Sequence, residues 1–351
     1  MGLTSTSFLV LLIVLTFVAM AVTLLLWGRL PGPAWLRWPV RTLMIVLCQV
    51  TAIATVATDI NNSYGLYASW DDLLGTVDAN ATAMTGPPPK RAKFTVAANG
   101  VRTTYFRGPH SHLAGRVLVW TPPEYDERAH RGTRFPVMML LHGVPGAPES
   151  WVEQGGMPGT FAQYVRQGTA RPAILVMPVI DPGGEDTDCT DTPHRKVARW
   201  LSDDVPRLIA QHFRTLPGPK GMGVMGISTG GFCAAALSLR YPKVFGAGVA
   251  LDPDPLTGDA SVLSDAGLRE RTSPMWLVAH RPPPTSLFLG TSNQDPDSPP
   301  AYIEEFVKAA AGTDVKVTTR IASGGGHNWN TWVAFFPQAM PWLSDRLDAP
   351  R

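Results

Sequence analysis

The sequence is poor in charged residues and has no long basic run. Charged side chains make up 17% of its 351 residues, against about 25% in typical soluble domains, and the net charge is only +2. It has neither the long basic run typical of a nucleic-acid surface nor a G-x-x-x-x-G-K loop that would hold a nucleotide phosphate. These absences argue against a nucleic-acid partner and against a P-loop nucleotide site.

Cysteine is also scarce, with three residues in the whole chain. Cys48 lies in an apolar stretch and is interpreted as a small apolar residue. Cys189 and Cys233 lie in the large C-terminal part, where they either pair or remain one buried and one free thiol, because a sequence does not fix the distance between them.

Two apolar stretches near the N-terminus are the main departure from a soluble composition. Phe8 to Trp27 are all uncharged, and roughly 20 such residues suffice for a membrane-spanning helix. The stretch has no basic residue before it and ends in Trp27-Gly28-Arg29, which favours a retained helix over a cleaved signal peptide. The second stretch, Thr42–Thr58, is short for a span, and a buried or interfacial helix is the alternative.

The segment between the two stretches, 28–41, indicates an orientation. Positive charge in a short loop marks the cytoplasmic side and tryptophan prefers the membrane interface; the segment contains Arg29, Trp35, Arg37, Trp38 and Arg41. We therefore predict a two-helix membrane anchor over residues 1–60, a juxtamembrane segment and Pro-rich linker over 61–93, and an extracytoplasmic domain over 94–351.

Apolar stretches alternate with helical patterns throughout that domain. "FPVMMLLHG" (135–143) and "AILVMPVID" (173–181) read as strands that are buried on both faces, and "HRKVARWLSDDVPRLIAQHF" (194–213) reads as one helix. The alternation predicts the α/β class, with a mostly parallel sheet and helices on both faces.

A candidate nucleophile, Ser228, lies in the G-x-S-x-G pentapeptide "GISTG" (226–230). The apolar "GMGVMG" precedes it as a candidate strand, and the Ala- and Leu-rich "GGFCAAALSLRYP" follows as a candidate helix. A strand–turn–helix with the serine at the turn is the context that makes this motif catalytic, and a merely structural turn is the alternative.

Two further residues come in the chain order that such a serine needs. Asp295 follows the candidate strand "SLFLG", with Asp297 as a substitute acid and Asp252 and Asp254 as weaker candidates. His327, in "GGGHNWNTW", follows the last candidate strand. A histidine there would act as general base on Ser228, and a buried carboxylate would hold its tautomer.

The remaining site predictions concern the oxyanion hole and the substrate. "LLHGVPG" ends an early strand, so the backbone N–H groups of Val144 and Thr229 are expected to bind the oxyanion, with His142 structural. Trp151, Trp329 and Trp332 either line a substrate site or pack in the core. The acidic stretch "DPGGEDTDCTD" (181–191) does not match a calcium-binding loop, so we expect a solvated acidic loop, no metal and no cofactor.

Four stretches together resemble a known family: "RVLVWTPPEYDE" with "FPVMMLLHG", "GISTGGFCAAALSLRYPKVFGA", and "GGGHNWNTWVAFFPQAMPWL". They are similar to the esterase family of α/β-hydrolases that includes the antigen 85 mycolyltransferases, feruloyl esterases and S-formylglutathione hydrolases. The resemblance covers nearly all of 95–347 and implies an α/β-hydrolase fold, a Ser228–His327–Asp295 triad, and Val144 and Thr229 as oxyanion donors. "GGFCA" and "DTDCTD" resemble pieces of membrane-anchored members, which implies a Cys189–Cys233 disulfide. The mycolyltransferases differ in having Glu as the acid.

The sequence thus predicts a membrane-anchored, extracytoplasmic serine esterase acting on an ester or acyl donor such as a cell-envelope lipid or glycolipid. The first alternative is an acyltransferase that delivers the acyl group to a sugar or lipid hydroxyl. The second is a non-catalytic scaffold, because a fold does not fix a function.

Overall fold

The computed structural model describes residues 2–3, 5–64, 70–73, 92–97 and 99–351. They fall into two compact units, which divide at Thr76 and Val77. Most of the predicted Pro-rich linker lies outside the described residues.

The N-terminal unit contains two long helices, α1 (Thr6–Leu26) and α2 (Ala34–Tyr64), and a short α3 (Trp70–Leu73). The Ser5 side chain begins α1 by accepting a hydrogen bond from the Phe8 N–H. By length and composition alone, α1 and residues 34–62 of α2 are apolar enough to cross a membrane, and a helix so near the N-terminus also fits a signal sequence.

The predicted loop over 28–41 is wrong for its second half, because α2 begins at Ala34 and includes Pro39. Proline lacks a backbone N–H and its ring crowds the carbonyl four residues earlier, and α2 continues past Pro39 despite this cost. The Arg41 guanidinium donates to the carbonyl of Trp27 at the end of α1 (2.8 Å), which joins the two helices at the turn.

The C-terminal unit is built on one nine-stranded sheet of order β1-β2-β3-β5-β4-β6-β7-β8-β9. Strands β4 to β9 pair in parallel, whereas β1, β2 and β3 pair antiparallel at one edge. The predicted α/β-hydrolase fold is confirmed. The strands are β1 (Thr95–Val96), β2 (Arg102–Arg107), β3 (Ala114–Trp120), β4 (Val137–Leu141), β5 (Ile174–Pro178), β6 (Met222–Ile227), β7 (Ala247–Leu251), β8 (Ser286–Ser292) and β9 (Lys316–Ala322).

Helices cover both faces of this sheet, which explains why β4 is buried along its whole length. Met138 and Leu140 pack into one core cluster with Phe336 of the C-terminal helix, while Val137 and Met139 belong to a second cluster on the other face. The helices are α4 (Ser150–Glu153), α5 (Gly159–Arg166), α6 (Val197–Arg199), α7 (Val205–His212), α8 (Thr229–Arg240), α9 (Ala266–Thr272), α10 (Pro274–His280), α11 (Pro300–Ala310) and α12 (Trp329–Ser344).

The helix predicted over 194–213 is interrupted by one π-helical turn, Trp200–Asp204, between α6 and α7. The buried carboxylate of Asp204 accepts hydrogen bonds from the backbone N–H groups of His110 (3.0 Å) and Ser111 (2.8 Å). These two residues lie in the turn between β2 and β3, so the π-turn places the Asp204 carboxylate against that hairpin.

Candidate active site

Ser228 lies at a sharp turn between the end of β6 and the start of α8. Its backbone has φ 54° and ψ −127°, a conformation that residues other than glycine rarely adopt. Its N–H donates to the carbonyl of Leu251, the last residue of β7 (3.0 Å). The neighbouring strand thus holds the turn in its strained shape.

The two glycines of the pentapeptide are required by close backbone contacts in this turn. A Cβ atom on Gly226 would lie 1.9 Å from the Gly230 carbonyl oxygen. A Cβ on Gly230 would lie 2.3 Å from the carbonyl oxygens of Leu141 and His142. Any side chain at either position would therefore push α8 away from β4 and β6.

The three residues predicted as a triad lie in a single hydrogen-bonded chain. His327 Nε2 lies 2.8 Å from Ser228 Oγ, and His327 Nδ1 lies 2.8 Å from Asp295 Oδ2. An ionised carboxylate only accepts, so the Nδ1 proton faces Asp295 and Nε2 is left to accept from the serine hydroxyl. Asp295 is buried, and its Oδ1 accepts from the N–H groups of Asp297 (2.9 Å) and Ser298 (3.1 Å). The substitute acid Asp297 thus supports Asp295 through its backbone.

The charges of this chain stabilise a protonated histidine. Burial lowers the pKa of His327, but the hydrogen bond and charge of Asp295, followed by the charges of Asp252 and Asp254, raise it overall. Burial raises the pKa of Asp295, but its hydrogen bond and attraction to His327 lower that pKa overall. An Asp295 carboxylate and a readily protonated His327 are the pair that a general-base mechanism uses.

Gly143, the residue before Val144, packs directly against the serine, since a Cβ added to it would lie 3.0 Å from Ser228 Cβ. Thr229 is the first residue of α8, where the backbone N–H has no partner within the helix. The two predicted oxyanion donors therefore belong to segments that flank Ser228 on either side.

His142 fixes the first of these segments. Its buried ring has Nδ1 2.7 Å from the Gly143 carbonyl oxygen, and its Nε2 accepts from the Ile180 N–H (3.2 Å). Burial lowers its pKa to about 4, so the ring is neutral at pH 7 and Nδ1 carries the proton. A neutral ring forms no ion pair with Asp181, whose carboxylate lies 3.9 Å from Nε2.

The tryptophans predicted as substrate-binding or core residues pack in the hydrophobic core. Trp151 is 0% exposed and stacks on Phe336 at 5.8 Å, and the Trp329 ring meets it edge-on at 5.5 Å. Trp332 also packs edge-on against the His327 ring, with centroids 5.3 Å apart. These contacts hold the histidine loop against the core and leave Trp151 no surface for a substrate.

The expectation of a solvated loop over 181–191 is wrong for Asp188, which is only 2% exposed. Cys189 and Cys233 form a disulfide that ties this loop to α8, and the Asp188 carboxylate accepts from the Asp259 N–H (3.4 Å). The pKa of Asp188 is raised to about 7, mainly by burial and next by the negative charges of Asp186 and other aspartates.

Two groups among the described residues bring three potential metal ligands together. In His110, Asp203 and Asp204, the carboxylates already accept from backbone N–H groups and from Arg207. The other group is Asp295, Asp297 and His327, whose nearest atoms form the hydrogen-bonded chain with Ser228.

Sequence reasoning underrated two carboxyl groups that directly follow β7. Asp254 accepts a hydrogen bond from the Thr229 hydroxyl (2.7 Å). Asp252 is 0% exposed, and among the described residues neither of its carboxyl oxygens makes a hydrogen bond of ordinary geometry, although the Thr291 hydroxyl and the Trp332 indole N–H interact with it. The pKa of Asp252 is raised to about 7, mainly by burial and next by the negative charge of Asp295. Their position was a usable signal, because ligand sites of open α/β sheets form at the carboxyl ends of the strands.

Comparison with known proteins gives one family match, to the family described as Putative esterase, over residues 115–282. An uncharacterized protein of Corynebacterium glutamicum is 29% identical over 133 residues, which are 37% of this chain and 30% of that protein. The match thus spans less than a third of the curated relative's length.

Solved structures with the same fold cover most of the chain. An S-formylglutathione hydrolase from Agrobacterium tumefaciens has a TM-score of 0.59 and 20% identity, covering 74% of this chain and 100% of its own. A Staphylococcus aureus protein described as a fluorophosphonate-binding serine hydrolase has a TM-score of 0.55 and 14% identity, over 72% and 99% of the two chains. MPT51 of Mycobacterium tuberculosis has a TM-score of 0.52 and 16% identity, over 70% and 99%.

These matches confirm the predicted resemblance to esterase-family α/β-hydrolases. The family match supports an esterase, and the solved structures show the α/β-hydrolase fold.

Proposed function

With residues 115–282 matching the esterase family, we propose that this chain is a membrane-anchored serine esterase that uses Ser228, His327 and Asp295. The observation that supports the proposal most directly is the continuous hydrogen-bonded chain from Ser228 Oγ through His327 to Asp295. The strained backbone of Ser228 supports it further, because strain of this kind concentrates at functional sites.

In the proposed reaction Ser228 Oγ attacks the ester carbonyl while His327 Nε2 takes the hydroxyl proton. Asp295 stabilises the imidazolium that results. The carbonyl oxygen becomes an oxyanion and accepts hydrogen bonds from the N–H groups of Val144 and Thr229. His327 then protonates the departing alcohol, leaving an acyl group on Ser228.

Water completes the cycle by the same route. His327 takes a proton from the water, the hydroxyl attacks the acyl carbonyl, and the carboxylic acid leaves as Ser228 regains its proton. A sugar or lipid hydroxyl in place of that water would make the product an ester, which is the acyltransferase alternative. The same residues perform both reactions.

We further propose that α1 and α2 anchor the chain in a membrane and that the C-terminal unit lies on the extracytoplasmic side. The three arginines near the turn between the helices favour a cytoplasmic turn. A disulfide between Cys189 and Cys233 fits an oxidising compartment. The substrate would then be an ester or acyl donor available outside the cytoplasm, such as an envelope lipid or glycolipid.

Fluorophosphonate labelling of the full-length protein in detergent tests the enzyme proposal. A nucleophilic serine activated by a histidine reacts covalently with this probe. We expect the wild type to be labelled, and Ser228→Ala to lose the label completely while keeping the wild-type melting temperature.

Ser238→Ala is the matched control for that experiment, because Ser238 is a buried serine on α8 that donates to the Ala234 carbonyl. It should be labelled like the wild type. A folded wild type that resists the probe and cleaves no p-nitrophenyl ester would contradict the proposal and favour a non-catalytic scaffold. Adding sugar acceptors to the ester assay distinguishes hydrolysis from transfer.

A further inference from the structure

Asp252 is a buried carboxyl group beside the proposed catalytic residues, and no step of the proposed reaction uses it. It directly follows β7, whose last residue accepts the Ser228 N–H. Its own N–H donates to the Gly290 carbonyl of β8 (2.7 Å), and its φ is 41°. The backbone is therefore held by the strands on both sides of β7 in a conformation that is unusual for aspartate.

The side chain of Asp252 lacks the hydrogen bonds that buried carboxyl groups normally have. Among the described residues neither oxygen makes a hydrogen bond of ordinary geometry; the Thr291 hydroxyl and the Trp332 indole N–H interact with the carboxyl group and lower its pKa, but they do not offset its burial. A buried carboxyl group without such bonds destabilises a fold, so its presence calls for an explanation. Trp332 packs edge-on against the His327 ring, and the charges of Asp252 and His327 act on each other, so both groups belong to the surroundings of that histidine.

Ser298 connects the residue after Asp252 to the proposed acid. Ser298 donates its N–H to Asp295 Oδ1 (3.1 Å) and its hydroxyl to the carbonyl of Pro253, the next residue after Asp252 (2.7 Å). The charged groups that act on Asp252 are Asp295, three residues after β8, and His327, after β9. Asp254 is the further carboxylate that acts on His327.

We propose that Asp252 is a second carboxyl group for His327, a positioning residue that stabilises the histidine's positive form and partly replaces Asp295 when that residue is lost. The proposal rests on the proposed function. When His327 takes the Ser228 proton, its positive charge favours ionised Asp252, and the two opposite charges stabilise each other. Removing Asp295 also removes its repulsion of Asp252, so Asp252 ionises more readily.

The test uses full-length Asp252→Asn, Asp295→Asn and the double variant. Asp314→Asn, at an exposed position before β9, is the control for loss of one carboxylate. The rate of fluorophosphonate labelling and kcat/KM for a p-nitrophenyl ester are measured between about pH 5 and 9, because this profile reports the pKa of His327 in the free enzyme.

Because Asp252 raises the pKa of His327, we expect Asp252→Asn alone to move the acid limb of both profiles to lower pH. We also expect Asp252→Asn to reduce the rate at pH 8 by about tenfold more in the Asp295→Asn background than in the wild type, which is the coupling expected of residues that share a partner. Asp314→Asn should leave both profiles unchanged.

An unshifted acid limb, together with the same fold-loss in both backgrounds, would overturn the proposal and leave Asp252 a structural residue. If Asp252→Asn does not fold, Asp252→Ser removes the same charge with a smaller side chain. A wild type that reacts with neither reagent overturns the proposed function and this proposal with it. A reactive wild type with uncoupled variants overturns the role of Asp252 alone.

Discussion

Glycine is required at position 230 because the position leaves no room for a Cβ atom. The two atoms that a Cβ would meet, the carbonyl oxygens of Leu141 and His142, belong to the backbone of β4 and the residue after it, which cannot rotate away as a side chain can. Overpacking a rigid site typically costs about 1–3 kcal/mol, and displacement of α8 would also move the Thr229 N–H.

We therefore expect Gly230→Ala to lower the melting temperature by several degrees and to abolish fluorophosphonate labelling. The control is Gly159→Ala at the first position of α5, where an added Cβ meets nothing within 4 Å. Alanine there should leave labelling intact and leave stability unchanged or raised by up to about 1 kcal/mol. Equal melting temperatures for the two variants would contradict the steric argument.

The order of residues along the chain predicted Ser228, His327 and Asp295 as partners, because each follows its own candidate strand. The same reasoning ranked Asp252 as a weaker candidate, because it follows an earlier strand. Its distinguishing property is burial without a hydrogen bond of ordinary geometry, and that depends on Gly290, Trp332 and Asp295, which approach it from other parts of the chain.

At the scale of elements, the disulfide connects the loop after β5 to α8. Cys233 is four residues after Thr229, so the two lie on the same face of the helix, and the loop is held beside the nucleophile turn. Closing a loop between residues 44 apart in sequence restricts the unfolded chain by about 4 kcal/mol in the chain-entropy description.

Replacement of both cysteines, Cys189→Ser with Cys233→Ser, should lower the melting temperature by several degrees, because the unfolded chain regains that freedom. A reducing agent should lower the wild type similarly and leave the double variant unchanged. Cys48→Ser is the control, since Cys48 is a free cysteine and its loss should preserve the sensitivity to reduction. A wild type indifferent to reductant would argue against the bond.

The elements that periodicity predicted well are those with uniform burial, such as β4 and β5. Less predictable were β1 and β2 at the sheet edge, whose exposed or alternating residues give no apolar run. The start of α2 was also missed, because the second apolar stretch begins only at Thr42, whereas the helix begins at Ala34 among residues that include two arginines and Pro39.

At the scale of the whole molecule, the proposed orientation makes a prediction about accessibility. In intact cells stripped of their outer wall, protease added outside should remove a C-terminal tag from the full-length chain, because the C-terminal unit is proposed to lie outside. A tag on a cytoplasmic marker protein should survive until lysis. Replacing Arg29, Arg37 and Arg41 with glutamine should protect part of the C-terminal tag, since the positive charge that favours a cytoplasmic turn is gone. Full protection of the wild-type tag would contradict the orientation.

Because of the π-turn at Trp200–Asp204, the number of residues in this helical segment cannot change without moving Asp204. A π-turn accommodates one residue more than a regular helical turn, so deleting one residue here would restore an ordinary helix. Each residue turns a helix by about 100°, and Asp204 would then rotate away from His110 and Ser111. Natural variants of this protein should therefore tolerate substitutions in the segment far better than a change of one residue in its length.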